Sequence, residues 1–335
     1  MPLKAKTPAA RIFTCDQLSN EEYHADKEYI SGSSLVEILR NPAKWKNRDR
    51  TEDENKKHLN FGTVGHTMML EPERFNDTYF RLPKPEDFAK EGVIVLPTQA
   101  AMKSWLKDRG VAGRSTFKDN QDLELLIVNA VNSMPDEQMP VLFTLEERRV
   151  IDLAKEKKGE IVKADDYDTV YRMRDVLLNN PQFSPILTSG LPEVSIFTTL
   201  LGVKVKVRLD RLLNEMQIWD YKTTTDASPK WFSNHAGKLG YYMKMALQYE
   251  VFKKAYGVHP ASINLLAQEK TSPFIAENFY LTDKSLAIGR IELKSALKSF
   301  QTCQKSGIWP SYGFGKPIPL DPPEYLQREF NVEEL

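Results

Sequence analysis

Asp210 and Asp220 are ten residues apart and flank a turn centred near residue 215. A hairpin symmetric about that residue sets the two carboxylates opposite each other across the ladder. Like charges so placed destabilise a sheet, and a protein tolerates them when a cation sits between. Divalent metals with oxygen ligands are the usual solution. Lys222 lies two residues beyond Asp220 and projects from the same face. Glu193, on the preceding stretch, can bring a third carboxylate there. Metal-assisted phosphodiester hydrolysis uses such a set. Carboxylates hold one or two Mg²⁺ ions (Mn²⁺ substituting), which clamp the phosphate and lower the pKa of an attacking water. A nearby ammonium orients the water or stabilises charge on phosphorus. The other reading is a charged, solvated strand face, because Glu54-x-Lys56, Glu156-x-Lys158 and Glu292-x-Lys294 share the spacing and look like loop or helix surface.

The elements that must position these groups are legible around them. Val203, Val205, Val207 and Leu209 alternate with Lys204, Lys206, Arg208 and Asp210, which predicts a strand with one apolar and one polar face. Residues 193–201, 217–224, 263–268 and 274–280 read as further strands from their β-branched and aromatic content. Helices are expected over 61–70, which contains His66, and over 166–178, 239–256 and 285–305. A short helix is expected after Ile30, capped by Ser33 or Ser34, with Leu35, Ile38 and Leu39 as its apolar stripe and Asn41-Pro42 as its stop. The charged run 46–57 reads as a solvated loop, residues 76–140 as an insertion, and 308–323 as a Pro/Gly-rich tail on the surface.

At 335 residues the chain allows two domains, or one carrying large insertions. The division expected is an N-terminal arm (1–29), one domain over 30–320, and a C-terminal tail (321–335). Hydrophobic residues at 41% and charged residues at 27% exclude a disordered chain. No apolar run is long enough to span a membrane. Two cysteines, Cys15 and Cys303, exclude a disulfide framework and a thiolate metal cluster, so a reducing cytoplasm is the expected compartment. Basic and acidic residues balance at 46 each, so nucleic acid can be held only by a local patch.

The order Glu193, Asp210, Asp220-Tyr-Lys222, then a helix, resembles the PD-(D/E)XK nuclease core: α/β, a central mixed sheet flanked by helices. In more detail the chain is similar to the exodeoxyribonuclease VIII (RecE-type) group, related to lambda exonuclease and the RecB nuclease domain. Ile30-Ser-Gly-Ser-Ser-Leu with Arg-Asn-Pro-Ala-Lys-Trp45 resembles that group's N-terminal segment. Phe61-Gly-Thr-Val-Gly-His66 and the residues following it resemble its histidine motif, and Trp309-Pro-Ser-Tyr312 its C-terminal motif. The resemblance implies metal ligands at His66, Asp210, Asp220, the Tyr221 carbonyl and Glu193, with Lys222 as the catalytic lysine. It implies a Mg²⁺-dependent exonuclease on double-stranded DNA ends, resecting 5′→3′ to leave a 3′ single strand. It further implies a single-strand annealing protein as partner, a ring of three or four subunits, and a phage or prophage origin. A structure-specific endonuclease and a non-catalytic DNA-binding module are the alternatives.

In that group the helix after the Asp-x-Lys strand carries Tyr-x-x-Gln-x-x-x-Tyr facing DNA. Here Met245 stands where the glutamine is expected, and Gln248, three residues on, lies on nearly the same helix face. Met245 and Phe252 read as core. Gln248, Tyr249, Tyr242, Lys244 and Lys230 are the expected DNA contacts. Six lysines between 222 and 254 face two acids, and Lys204, Lys206 and Arg208 share the face of Asp210. These cations bind backbone phosphates or are simply solvated. Trp231, Tyr241 and Tyr242 are candidates for base stacking or for core.

Overall fold

Among the residues described by this computed structural model (10–48, 61–114, 116–134 and 136–330), seven strands build the central sheet. They are β1 (Arg11–Phe13), β2 (Ile30–Ser31), β3 (Leu191–Leu200), β4 (Val203–Leu212), β5 (Gln217–Thr224), β6 (Ser262–Glu269) and β7 (Ala276–Tyr280). The order is β1-β3-β4-β5-β6-β7, with β2 beside β4. The β3–β4–β5 meander is antiparallel, β5 and β6 run parallel, and β7 returns antiparallel. The sheet is therefore mixed, as the family resemblance implies.

Helices cover both faces: α1 (Gly32–Arg40), α2 (Phe61–Leu70), α3 (Ala164–Leu178), α4 (Pro229–Lys238), α5 (Tyr241–Tyr256) and α6 (Asp283–Ser306). Helices α4 and α5 form the crossover that parallel pairing of β5 and β6 requires. One core lies under α1, α5 and α6 and contains Leu35, Ile38, Val205, Val207, Leu209, Met245 and Phe252. The second lies under α2 and α3, with Val64, Met68, Val170, Met173, Trp219 and Tyr221. Met245 and Phe252 are core, as their spacing implied. Helices α5 and α6 cross closely at Gly289, where a Cβ would fall 2.2 Å from the Tyr242 carbonyl oxygen.

Strands β4 and β5 pair through Arg211↔Trp219 and Leu212↔Ile218, which is the register symmetric about residue 215. Beyond Arg211 and Trp219 the two strands part, and β2 takes the place beside β4 by pairing Ile30 with Val205 and Ser31 with Lys206. The apolar alternation of β4 changes phase there. Leu209 and Leu212, an odd number apart, both enter the core under α5. On β3 the matching irregularity is Glu193, whose φ of +52° lies in the left-handed region between the pairs Pro192↔Arg211 and Val194↔Leu209. A non-glycine residue there costs on the order of 1–3 kcal/mol, and the surrounding ladder holds it.

Several expectations are corrected. Residues 10–29 are not a loose arm: β1 pairs with β3, and the chain from Leu18 to Glu28 covers the polar face of β4. Lys206 donates to the carbonyls of Tyr23 and Asp26, and Arg208 to those of Leu18 and Ser19; Lys204 pairs with Glu28. These three cations thus hold a segment of their own chain rather than forming an open phosphate patch. The cap of α1 is Ser31, not Ser33 or Ser34, and Val36 rather than Leu39 is buried. Pro42–Asn47 is helical, and residues 49–57 of the charged run lie outside the described residues. The 76–140 region carries helices Gln99–Asp108 and Asn120–Asn132, packed on Met102, Trp105, Leu106, Leu123 and Ile127 in a small core of their own. Strand β7 begins at Ala276, two residues later than predicted.

Replacing Lys206 by alanine removes a buried ammonium and leaves two carbonyls without that donor. The expected loss is about 1–3 kcal/mol, with faster amide exchange over residues 14–30 than elsewhere. Uniform exchange across the chain would contradict this anchoring role.

Candidate metal centre

The mouth of the splayed β4–β5 pair is where the expected site residues meet. Asp210 and Asp220 occupy the next step of the register after Arg211↔Trp219, and both are buried (7% and 4% exposed). Their separation from a regular ladder gives each carboxylate its own partners. Asp210 Oδ2 accepts from the Tyr221 N–H at 2.8 Å and lies 3.1 Å from His66 Nε2 and 3.8 Å from Lys222 Nζ. Asp220 is ion-paired with Lys222 through Oδ2 and accepts from Gln248 Nε2 at 3.2 Å through Oδ1.

Glu193 completes the set. Its Oε2 is 2.5 Å from Arg208 Nε, and its Oε1 is 3.6 Å from His66 Nδ1 with no hydrogen bond. His66 comes from α2, which lies against β5: a Cβ at Gly65 would meet Thr223 Cγ2 at 3.5 Å, an ordinary contact that alanine also fits. Arg174, from α3, donates to the carbonyls of Met68 and Met69 and so fixes the C-terminal end of α2. His66, Glu193 and Asp210 each offer a ligand atom within 4.8 Å of the others.

The remaining expected residues fall in different places. The Tyr221 carbonyl accepts from Lys222 Nζ at 3.1 Å. Gln248, expected as a DNA contact, is buried and donates to Asp220, so it braces a site carboxylate. Lys244 and Lys222 both lie over the Tyr241 ring, at 5.5 and 5.8 Å, so this tyrosine walls the site. Tyr242 donates to the Ser233 carbonyl, and Tyr249 pairs with His259 beneath Arg290; both have internal partners. Lys230 is exposed at the start of α4, and Trp231 is stacked on His235. Arg208, expected from sequence as a phosphate-binding or solvated cation on the face of Asp210, instead pairs with Glu193 inside the site.

Burial raises the Asp220 carboxyl, with the Asp210 charge adding and Lys222 opposing. Burial likewise pushes Glu193 up to about 7, against His66 and Arg208. Asp210 is held down at about 2: His66 and Lys222 outweigh the burial that would raise it. Burial would lower Lys222, but Asp220 and Asp210 raise it well above its ordinary value. Burial would lower His66 too, yet Asp210 and Glu193 bring it up to about 9.

The two carboxylates and one imidazole of Glu193, Asp210 and His66 form an oxygen-rich donor set with one nitrogen, suited to a hard divalent cation such as Mg²⁺ or Mn²⁺ rather than to a thiophilic metal. The buried Glu193 Oε1, without a donor, supports the fit.

An Asp-x-Lys strand beside a second aspartate on a mixed sheet, with helices on both faces, defines the PD-(D/E)XK class. The chain belongs to the family described as PDDEXK-like domain of unknown function (DUF3799), which matches residues 31–316. No curated protein matches it significantly. A solved structure from Eubacterium rectale, provisionally named as an exonuclease, is similar at 16% identity and a TM-score of 0.40, covering 77% of this chain and 95% of its own. No described helix is long and apolar enough to cross a membrane.

Among the groups here that bind protons more tightly in the fold than in the unfolded chain are His66, raised from 6.5 to about 9, and Glu193, raised from 4.5 to about 7. Their contribution to stability is complete below the unfolded values and is lost as pH rises through the folded ones. Without divalent metal, the thermal midpoint should therefore fall between pH 5 and 9. Added Mn²⁺ should restore it most at the alkaline end, where a cation no longer competes with the proton on His66. A Mn²⁺ effect independent of pH would contradict this.

Proposed function

We propose that the chain is a divalent-metal-dependent DNA exonuclease. The observation that carries the reading is the convergence of Asp210, Asp220, Lys222, His66 and Glu193 in the mouth of the splayed hairpin. His66, Asp210, Glu193, Asp220 and the Tyr221 carbonyl would hold one or two Mg²⁺ ions. Such an ion supplies charge to the scissile phosphate and lowers the pKa of a bound water.

The chain's own residues do the rest. Arg208 holds one oxygen of Glu193 and leaves the other, 3.6 Å from His66 Nδ1, facing the site. Gln248 fixes Asp220 from α5. Lys222, kept protonated between two aspartates, donates toward the phosphoryl oxygens where negative charge builds. Tyr241 and Lys244 close the side of the site next to α1.

The finer reading follows the resemblance of the histidine, Asp-x-Lys and C-terminal segments to the RecE-type group. The substrate is a double-stranded end, degraded 5′→3′ to expose a 3′ single strand that an annealing protein receives. Three or four subunits form a ring, which gathers the exposed Lys230, Lys238 and Lys253 toward one axis around a neutral chain. Phosphate contacts without base contacts then permit sliding.

Digestion of end-labelled linear duplex with and without Mg²⁺ tests the activity, and covalently closed circles separate it from an endonuclease. Label at the 5′ end should be released first, and circles should survive. Asp220→Asn removes charge from the metal set and should lower activity by at least about 10²-fold while the protein stays folded. Lys222→Ala should lower turnover and leave Mn²⁺ binding by calorimetry largely intact. A mass in solution equal to one chain would exclude the ring.

A further inference from the structure

Residues 38–48 and 293–320 contain eight cations (Arg40, Lys44, Lys46, Arg48, Lys294, Lys298, Lys305 and Lys316) and no aspartate or glutamate. Five aromatic residues, Trp45, Phe300, Trp309, Tyr312 and Phe314, are interleaved with them. Far apart in sequence, the two stretches form one face. The Ala43 N–H donates to the Pro310 carbonyl at 3.2 Å, and the Trp45 ring lies 5.2 Å from Trp309 and 5.7 Å from Phe300. Lys46 sits over Trp309 and Lys44 over Tyr312, at 5.4 and 5.3 Å.

Most of this face is open. Tyr312 is 67% and Phe314 76% exposed, and Lys44, Lys46, Arg48, Lys294, Lys298, Lys305 and Lys316 are all exposed. Two carboxylates at its border have cationic neighbours: Glu37 pairs with Arg48 at 2.7 Å, and Glu292 feels Arg40.

Helix α1 connects this face to the metal centre. Its first residue, Gly32, abuts Lys244, with 3.3 Å between a built Cβ and Lys244 Cγ. Its last, Arg40, opens the basic stretch. Nine residues of helix span about 13 Å, a distance that a few nucleotides of extended strand cover. A cleft of about 1250 Å³ borders Trp45 and Lys46 and is also lined by Ser31, Ser33, Thr63 and Thr67, together with Glu21, Glu28, Glu71 and Glu160.

We propose that this aromatic and basic face binds single-stranded nucleic acid, holding a strand that leaves or approaches the metal centre. Aromatic rings offer stacking surface to any base, and the lysines offer sequence-independent phosphate contacts. The inference deepens the nuclease reading by giving the separated strand a place on the protein, and it rests on that reading only for the strand's origin.

Binding of a fluorescent 20-nucleotide oligo(dT), followed by anisotropy in EDTA, keeps the test independent of hydrolysis. The wild-type protein should bind it. Tyr312→Ala should weaken binding about 5- to 100-fold, and Lys44→Glu with Lys46→Glu should also reduce the salt slope by between about 1 and 2. Both proteins should keep wild-type circular dichroism and hydrolysis of a small chromogenic phosphodiester. Absence of oligo(dT) binding, equal affinity in the variants, or equal competition by inorganic polyphosphate would overturn the proposal. So would a drop in solution mass for Phe314→Ala together with absent oligo(dT) binding, which would make the face a contact between copies. A chain that binds oligo(dT) through these residues yet hydrolyses nothing would refute the nuclease reading alone.

Discussion

Carboxylate charge buried at the open end of one hairpin is the constraint on which the surrounding structure depends. Asp210, Asp220 and Glu193 are each less than a tenth exposed. Removing an ion from water costs several kcal/mol even after relaxation, so each must be answered locally. The answers come from different elements: His66 from α2, Lys222 from β5, Arg208 from β4, Gln248 from α5 and the Tyr221 N–H from the backbone. The two helical layers are therefore tied to one small volume between them. Parting of β4 and β5 belongs to the same solution, because continuing the ladder through Asp210 and Asp220 would have set the carboxylates face to face.

The consequences extend to the N-terminus. Arg208 binds Glu193 on one side and the carbonyls of Leu18 and Ser19 on the other, beneath the Tyr23 ring. The N-terminal segment, read from sequence alone as an arm, thus covers the cations that brace the site. Similarly, β2 fills the space that β5 leaves along β4 and turns directly into α1, so the start of α1 is delivered to the site's edge by main-chain pairing.

Much of this was legible because it is periodic or symmetric. Alternation from Val203 to Leu209, the hairpin centred on residue 215 and the ten-residue spacing of the aspartates all follow from strand geometry, and the observed register agrees. Less legible was everything decided by partners distant in sequence. Nothing local to Lys204, Lys206 and Arg208 says that residues 18–28 will cover them, so the sequence offers only a phosphate-binding patch or a solvated face. The positive φ of Glu193 is invisible in a sequence because its residue type does not call for it. Helical spacing puts Gln248 near the face of the expected glutamine, and only the fold shows that Asp220 lies within its hydrogen-bond reach. The cap at Ser31 was displaced by two or three residues because three serines in four positions offer the same chemistry, and strand pairing of Ile30 and Ser31 selects among them.

The fate of the cations shows how function separates from composition. The chain is neutral overall, and its most evident basic alternation, on β4, is consumed internally by carbonyls and Glu28. The acid-free stretches 38–48 and 293–320 are less regular, yet their lysines remain at the surface beside aromatic rings. A lysine on a strand that is covered by another segment is a structural hydrogen-bond donor, whereas one on a helix end or tail keeps its charge available. Position in the layers, more than local charge density, therefore decides which cations can meet a phosphate backbone.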